Sequence, residues 1–212
     1  MTIDVYADIA CPWCYVGRAR LKQALDRRPD LDVALRWRPF QLQPDMPAGG
    51  RDFREVLERK FGGWDRARRM FDRIRELGSE LGLTFDFDAI EAAPNTADAH
   101  RLVLWAQNRG RGDATATALF RAYFSKGRNV SDADVLVDCA AAAGLDADAA
   151  RTLLDGDDYA DAVRESQAQA QRRGITGVPC YVFGDRHAVT GAQPTEVFVE
   201  ALDAVTPTSS QQ

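Results

Sequence analysis

The chain opens on a β-rich run, Ile3-Asp4-Val5-Tyr6-Ala7-Asp8, and passes directly into a stretch patterned as a helix from Cys14 through Arg28. Val33, Leu35 and Trp37 then alternate with Ala34, Arg36 and Arg38 up to Pro39, the pattern of a half-buried strand. This first unit reads as β-α-β. Pro39 to Gly50 carries three prolines and two glycines and predicts a connector. Beyond it the period becomes helical. Phe53, Val56, Leu57 and Phe61 form one stripe, and Ala67, Met70, Phe71, Ile74, Leu77 and Leu81 form a second, each with charged residues opposite. Gly78 and Gly82 bracket the end of the second helix, and Leu83, Phe85 and Phe87 alternate as a short extended piece.

Pro94-Asn95-Thr96 predicts the start of another helix, with Asn95 or Thr96 as N-cap, running through His100, Leu102, Val103 and Trp105 until Gly110 and Gly112. Two more follow, one with Leu119, Phe120, Tyr123 and Phe124, the next with Val135, Leu136, Cys139, Ala140 and Ala143 on one side. A last pair, around Asp146 to Leu154 and Tyr159 to Arg173, returns to Gly174. Tyr181-Val182-Phe183, the turn Gly184-Asp185 and Arg186 to Thr190 read as a hairpin. Gly191-Ala192-Gln193-Pro194 leads to a final helix with Val197, Phe198, Ala201 and Leu202 as its apolar face.

The order β-α-β, helical block, β-β-α is that of an α/β chain, and taking out the block leaves a thioredoxin fold. The expected divisions are 1–44 for the first part of the thioredoxin-like domain, 45–174 for an inserted all-helical domain, 175–205 for the second part and 206–212 for a disordered tail. The 212 residues, 45% hydrophobic, suffice for a large core. A net charge of −5 and an isoelectric point near 5.1 give no general attraction to nucleic acid or to an anionic membrane. The Arg-rich run from Arg66 to Arg75 is most simply a solvated helix face. No stretch approaches a membrane span, and Met1-Thr2-Ile3-Asp4 has neither a basic start nor an apolar leader, so a cytoplasmic location is expected.

Chemistry concentrates in Cys11-Pro12-Trp13-Cys14, at the turn from strand to helix. Residues three apart on a helix share a face, which brings the two sulfurs within disulfide reach. Cys11 falls at the first turn, where unpaired N–H groups and the helix dipole favour an anion, so its thiolate is stabilised and it is the expected nucleophile. Pro12 suits the first helical position. Cys14, one turn in, becomes the shielded resolving thiol. The competing readings are a zinc knuckle and a structural disulfide. A four-ligand zinc site needs more than this pair, and Cys139, Cys180 and the two histidines lie far from it in sequence. In the cytosol, moreover, cysteine pairs are more often catalytic than structural.

Five stretches in order, Asp8 to Gly17, Arg38 to Leu42, Asn95 to Leu102, Gly174 to Pro179 and Gly191 to Pro194, resemble the DsbA-family oxidoreductases and, within them, the cytosolic FrnE-like branch. The resemblance implies a thioredoxin fold with an inserted helical domain, Cys11 as nucleophile and Cys14 as resolving thiol. It also implies a cis-proline loop, Val178-Pro179, facing them, with Pro12, Trp13, Val178 and Pro179 against substrate. Cys180 departs from the bulky apolar residue expected of relatives. It is either an extra redox partner or is turned into the core by strand alternation. In relatives the helix of His100 packs near the active-site cleft, which gives Asn95 and His100 accessory roles in touching substrate or tuning Cys11. The other reading of His100 is a packed helical residue. Cys139 reads as a small core hydrophobe and His187 as an exposed strand residue.

The expected reaction is thiol–disulfide exchange on protein or small-molecule thiols and disulfides, without metal, nucleotide or flavin. An external thiol such as glutathione is an admissible co-substrate and a homodimer an admissible assembly. Two other classes are kept. One is a glutathione-dependent isomerase or transferase related to 2-hydroxychromene-2-carboxylate isomerase, whose members usually carry serine and no second cysteine at the motif. The other is a non-catalytic accessory protein in polyketide biosynthesis.

Overall fold

The computed structural model describes residues 1–206, so that all but the first residue of the expected tail lies outside the described residues. β1 (Thr2–Ala7), α1 (Pro12–Asp26) and β2 (Ala34–Pro39) form the first unit. β1 and β2 pair in parallel with Val5 opposite Trp37, a pairing that needs a crossover, and α1 supplies it. The connector then leads through β3 (Arg51–Asp52), α2 (Phe53–Phe61), α3 (Trp64–Glu80) and β4 (Ala92–Ala93). Five helices follow: α4 (Ala97–Gln107), α5 (Gly112–Phe120), α6 (Ala133–Ala142), α7 (Ala147–Asp155) and α8 (Ala160–Arg172). β5 (Cys180–Phe183), β6 (His187–Thr190) and α9 (Thr195–Val205) complete the chain. The main sheet has the order β2-β1-β5-β6, with β5 antiparallel to both neighbours. This is a thioredoxin fold carrying a helical insert, the arrangement the element order predicts.

One face of the sheet is covered by α1 and α9, where Phe198 meets the ring of Tyr181 edge-on with centroids 4.9 Å apart. The other face is covered by α8, whose Ala170 packs against Tyr6, Phe40 and Cys180 and whose Ser166 Oγ donates to the Pro39 carbonyl at 2.9 Å. Thus α8 lies within the span expected for the insert, yet it forms a layer of the sheet. The larger core runs from Ile3 and Val5 through Tyr15 to Phe71 and Phe124. Tyr15 of α1 stacks on Phe120 at 5.2 Å, and Arg18 makes a two-pronged ion pair with Asp113 of α5. These contacts fix the dithiol helix against the helical block.

Three local expectations are corrected. Leu83 to Phe87 is not a strand: Gly82 turns the chain at φ +68°, Phe85 and Phe87 stack into the core at 5.5 Å, and Phe87–Ala89 forms a single tight helical turn. Gly78 and Gly82 do bracket the end of α3 at Glu80, as expected, and Phe85 covers Gly78 so closely that a Cβ there would come within 2.6 Å of the ring. Gly112 begins α5 and does not end the helix before it, which stops at Gln107. The Leu119–Phe124 stripe crosses from α5 into a π-helical turn, Arg121–Ser125, that turns Tyr123 and Phe124 inward.

Candidate redox site

The Cys11 backbone is extended (φ −99°, ψ 111°) and caps α1, with Pro12 as the first helical residue. Its N–H donates to the Asp8 carbonyl at 3.0 Å, and the Cys14 N–H donates to the Cys11 carbonyl at 3.0 Å. Both thiols are free and buried; Cys11 keeps 5% of its surface and Cys14 1%, so the side nearer solvent is that of Cys11. Their acidities diverge. A hydrogen bond from the Cys14 thiol lowers the Cys11 thiol below its ordinary range, against burial, and the backbone N–H groups of Cys14 and Trp13 add to it. Burial, followed by the neighbouring Cys11, raises Cys14 well above the ordinary thiol range. Those N–H groups are the helix-terminus donors expected from the motif's position; the larger contribution, the second thiol, follows only from the side chains' proximity.

The loop before β5 closes over the pair. Val178-Pro179 is a cis peptide, as expected, and the Val178 carbonyl accepts from Cys11 Sγ at 3.8 Å. The Pro179 carbonyl is taken by Gly191 N–H at 2.7 Å, whereas Val178 N–H has no partner among the described residues. Pro12, Trp13 and Val178 are each half-buried around the two sulfurs. Cys180 is not brought to the dithiol: strand alternation sends it to the opposite face of the sheet, into the cluster with Tyr6, Phe40 and Ala170.

His100 does reach the site, through Asp8, the first residue of the Asp8 to Gly17 stretch, for which no role is expected from the sequence. Its Nε2 stands 3.5 Å from Oδ1 of Asp8, and both side chains are almost fully buried. Asp8 also accepts from Leu42 N–H at 2.7 Å and Ala10 N–H at 3.2 Å. Burial opposes ionisation of this carboxyl, but His100 and the two N–H groups outweigh it, so that it lies below its ordinary 3.8. The charge so held pushes both thiols upward. Asn95 is occupied elsewhere, since its Nδ2 donates to the Met46 carbonyl at 2.6 Å and its Oδ1 accepts from Ala97 N–H at 2.9 Å, tying the connector to the start of α4. Cys139 is buried in α6, its thiol pushed up to about 11 by burial, and His187 is exposed on β6. Among the described residues, no cluster of three or more His, Cys, Asp or Glu side chains is placed to hold a metal ion.

Asp8 and Ala10 also form one wall of a cleft of about 60 Å³ whose other walls are Leu42, Val56 and Leu57, with Lys60 among its lining residues. Residues 2–203 match the DSBA-like thioredoxin domain. The chain belongs to that family. It is 36% identical to a probable DsbA oxidoreductase from Streptomyces coelicolor, whose crystal structure superposes with a TM-score of 0.90 over 100% of this chain and 94% of that one. The uncharacterized protein YwbO of Bacillus subtilis is 29% identical over 201 residues, 94% of each chain. A 2-hydroxychromene-2-carboxylate isomerase from Sphingobium xenophagum is 26% identical over 188 residues, covering 87% of this chain and 90% of its own. The family and its probable DsbA oxidoreductase member support a thiol–disulfide oxidoreductase at the level of the family.

Proposed function

We propose that the protein exchanges dithiol for disulfide through Cys11 and Cys14, as a member of the FrnE-like branch working in the cytoplasm. The observation that carries this reading is the inequality of two adjacent thiols, Cys11 lowered and nearer solvent, Cys14 raised and shielded. The Cys11 thiolate attacks a substrate disulfide, a Cys11–substrate bond forms, and the first substrate sulfur leaves as a thiolate that takes up a proton. Cys14 then attacks Cys11 Sγ, the second substrate thiol departs, and two electrons have passed to the substrate. An external thiol such as glutathione returns the Cys11–Cys14 disulfide to the dithiol. Val178 N–H, without a partner among the described residues, binds an extended substrate segment by a backbone hydrogen bond indifferent to side chains. Protein and small-molecule disulfides are both within such a range.

The isomerase reading has support in the Sphingobium relative. Against it stands the second cysteine, Cys14, for which isomerisation has no use. The non-catalytic reading leaves the unequal thiols without a purpose. Brief alkylation of the reduced protein at neutral pH separates these readings from dithiol exchange: Cys11 is expected to label well before Cys14, Cys139 and Cys180 on peptide mapping. First labelling of Cys14, or equal labelling of all four, would contradict the assigned roles.

A further inference from the structure

Tyr181 lies on β5, two residues past Pro179, and is fully buried, yet its hydroxyl has no hydrogen-bond partner among the described residues. A buried hydroxyl left this way carries an uncompensated desolvation cost, so its retention where phenylalanine would pack equally well calls for an explanation. The hydroxyl is aimed at the underside of α1: a Cβ added to Gly17 would overlap the hydroxyl oxygen and come within 3.3 Å of both the ring's Cζ and Pro179 Cγ. Gly17 is three residues past Cys14 and therefore on the same helix face, and the Cys14 side chain leans back along that face toward Cys11. The missing side chain at Gly17 is what admits the phenol beneath the dithiol turn.

We propose that the Tyr181 hydroxyl donates a hydrogen bond to Cys14 Sγ while that sulfur is a thiolate, and thereby accelerates the resolving step. This rests on the dithiol-exchange reading above. At rest Cys14 holds its proton and the hydroxyl makes no hydrogen bond among the described residues, the Cys14 sulfur included, so the bond to Cys14 Sγ has to form as charge develops there. In the resolving step Cys14 must carry negative charge in a site closed to water, and there the hydroxyl gains an acceptor. An interaction absent from the ground state and present when charge develops lowers the barrier directly. Burial, with the two thiols adding to it, holds the phenol well above its ordinary range, so Tyr181 is a donor and never the base. The proton leaving Cys14 ends on the departing substrate thiolate. Cys14 Sγ bonds to Cys11 Sγ, the Cys11–substrate bond breaks, and Tyr181 keeps its proton throughout.

Tyr181→Phe removes only the oxygen and tests the proposal by single-turnover kinetics, with acid quench and mass analysis of the Cys11–substrate adduct. The adduct is expected to live about tenfold longer, with the pH limb of its decay displaced upward, while Cys11 alkylation is unchanged and the melting temperature is equal or higher. Gly17→Ala, which drives the hydroxyl off the helix, should lengthen the same lifetime, and in the Tyr181→Phe background should change it by less than about twofold. A Tyr181→Phe adduct that decays at the wild-type rate with an unmoved pH limb, or equal effects of Gly17→Ala in both backgrounds, would overturn the proposal. A wild-type protein that forms no adduct at all fails the exchange reading itself, and this inference with it.

Discussion

Cys14→Ser is expected to accumulate a mixed disulfide with substrate that the wild-type protein releases, whereas Cys11→Ser forms none and loses exchange by more than about a thousandfold. The asymmetry follows from the geometry. Cys11 caps α1, receives the hydrogen bond from Cys14 and keeps the larger exposure, so it alone meets substrate as a thiolate. Serine at position 14 still donates to Cys11 but cannot attack the mixed disulfide. The first half of the reaction survives and the second does not. Non-reducing mass analysis after mixing with a model disulfide reads both variants, and equal loss of adduct in the two would contradict the role assignment.

Asp8→Asn is expected to cost about 2–4 kcal/mol of stability at neutral pH and, at the same time, to lower the Cys11 thiol further. The carboxylate accepts from Leu42 and Ala10 N–H and faces His100 from α4. An asparagine offers one acceptor oxygen where two are used and turns its amide N–H groups toward donors. For a chain of this size the cost corresponds to a fall of roughly 4–16 °C in melting temperature. The thiol moves the other way, because the Asp8 charge is one of the groups holding Cys11 up. The linked pH dependence has a definite sign. A carboxyl held below its ordinary 3.8 in the folded protein stabilises fully above that value and loses its contribution as pH falls through the lower folded value. The wild-type advantage over Asp8→Asn should therefore vanish in acid. Thermal melts across pH, with the pH profile of Cys11 alkylation, check both halves; unchanged stability and an unchanged profile would contradict the role given to Asp8.

The sequence carried the frame and the dithiol because those depend on local rules. Pro12 at the first helical position, the Val33–Trp37 alternation and the hairpin about Gly184-Asp185 each announce themselves within a few residues. The resemblance added the Val178-Pro179 loop, which no local pattern would have set against Cys11. β3 and β4 escaped because two residues apiece, Arg51-Asp52 and Ala92-Ala93, hold no periodicity. The π-helical turn escaped because the Leu119–Phe124 stripe fits an α-helix equally well over so short a span. Asp8 and His100 are far apart in the chain, and only the packing of α4 beneath β1's end makes them neighbours; a carboxylate shortly before a cysteine was the one available hint. Tyr181 was legible as a strand residue, but the emptiness above Gly17 that orients its hydroxyl is a property of the packed helix and sheet together.

An equilibrium titration in glutathione buffers, with acid quench and peptide mapping, decides whether Cys11 and Cys14 work as one redox couple. A single two-electron transition is expected, in which both lose their thiols together as one intramolecular disulfide, with a midpoint between about −120 and −270 mV, while Cys139 and Cys180 stay reduced. Thiols at Cys11 and Cys14 that persist across that range, or a transition that ends in a stable glutathione adduct on Cys11 with Cys14 still free, would contradict it.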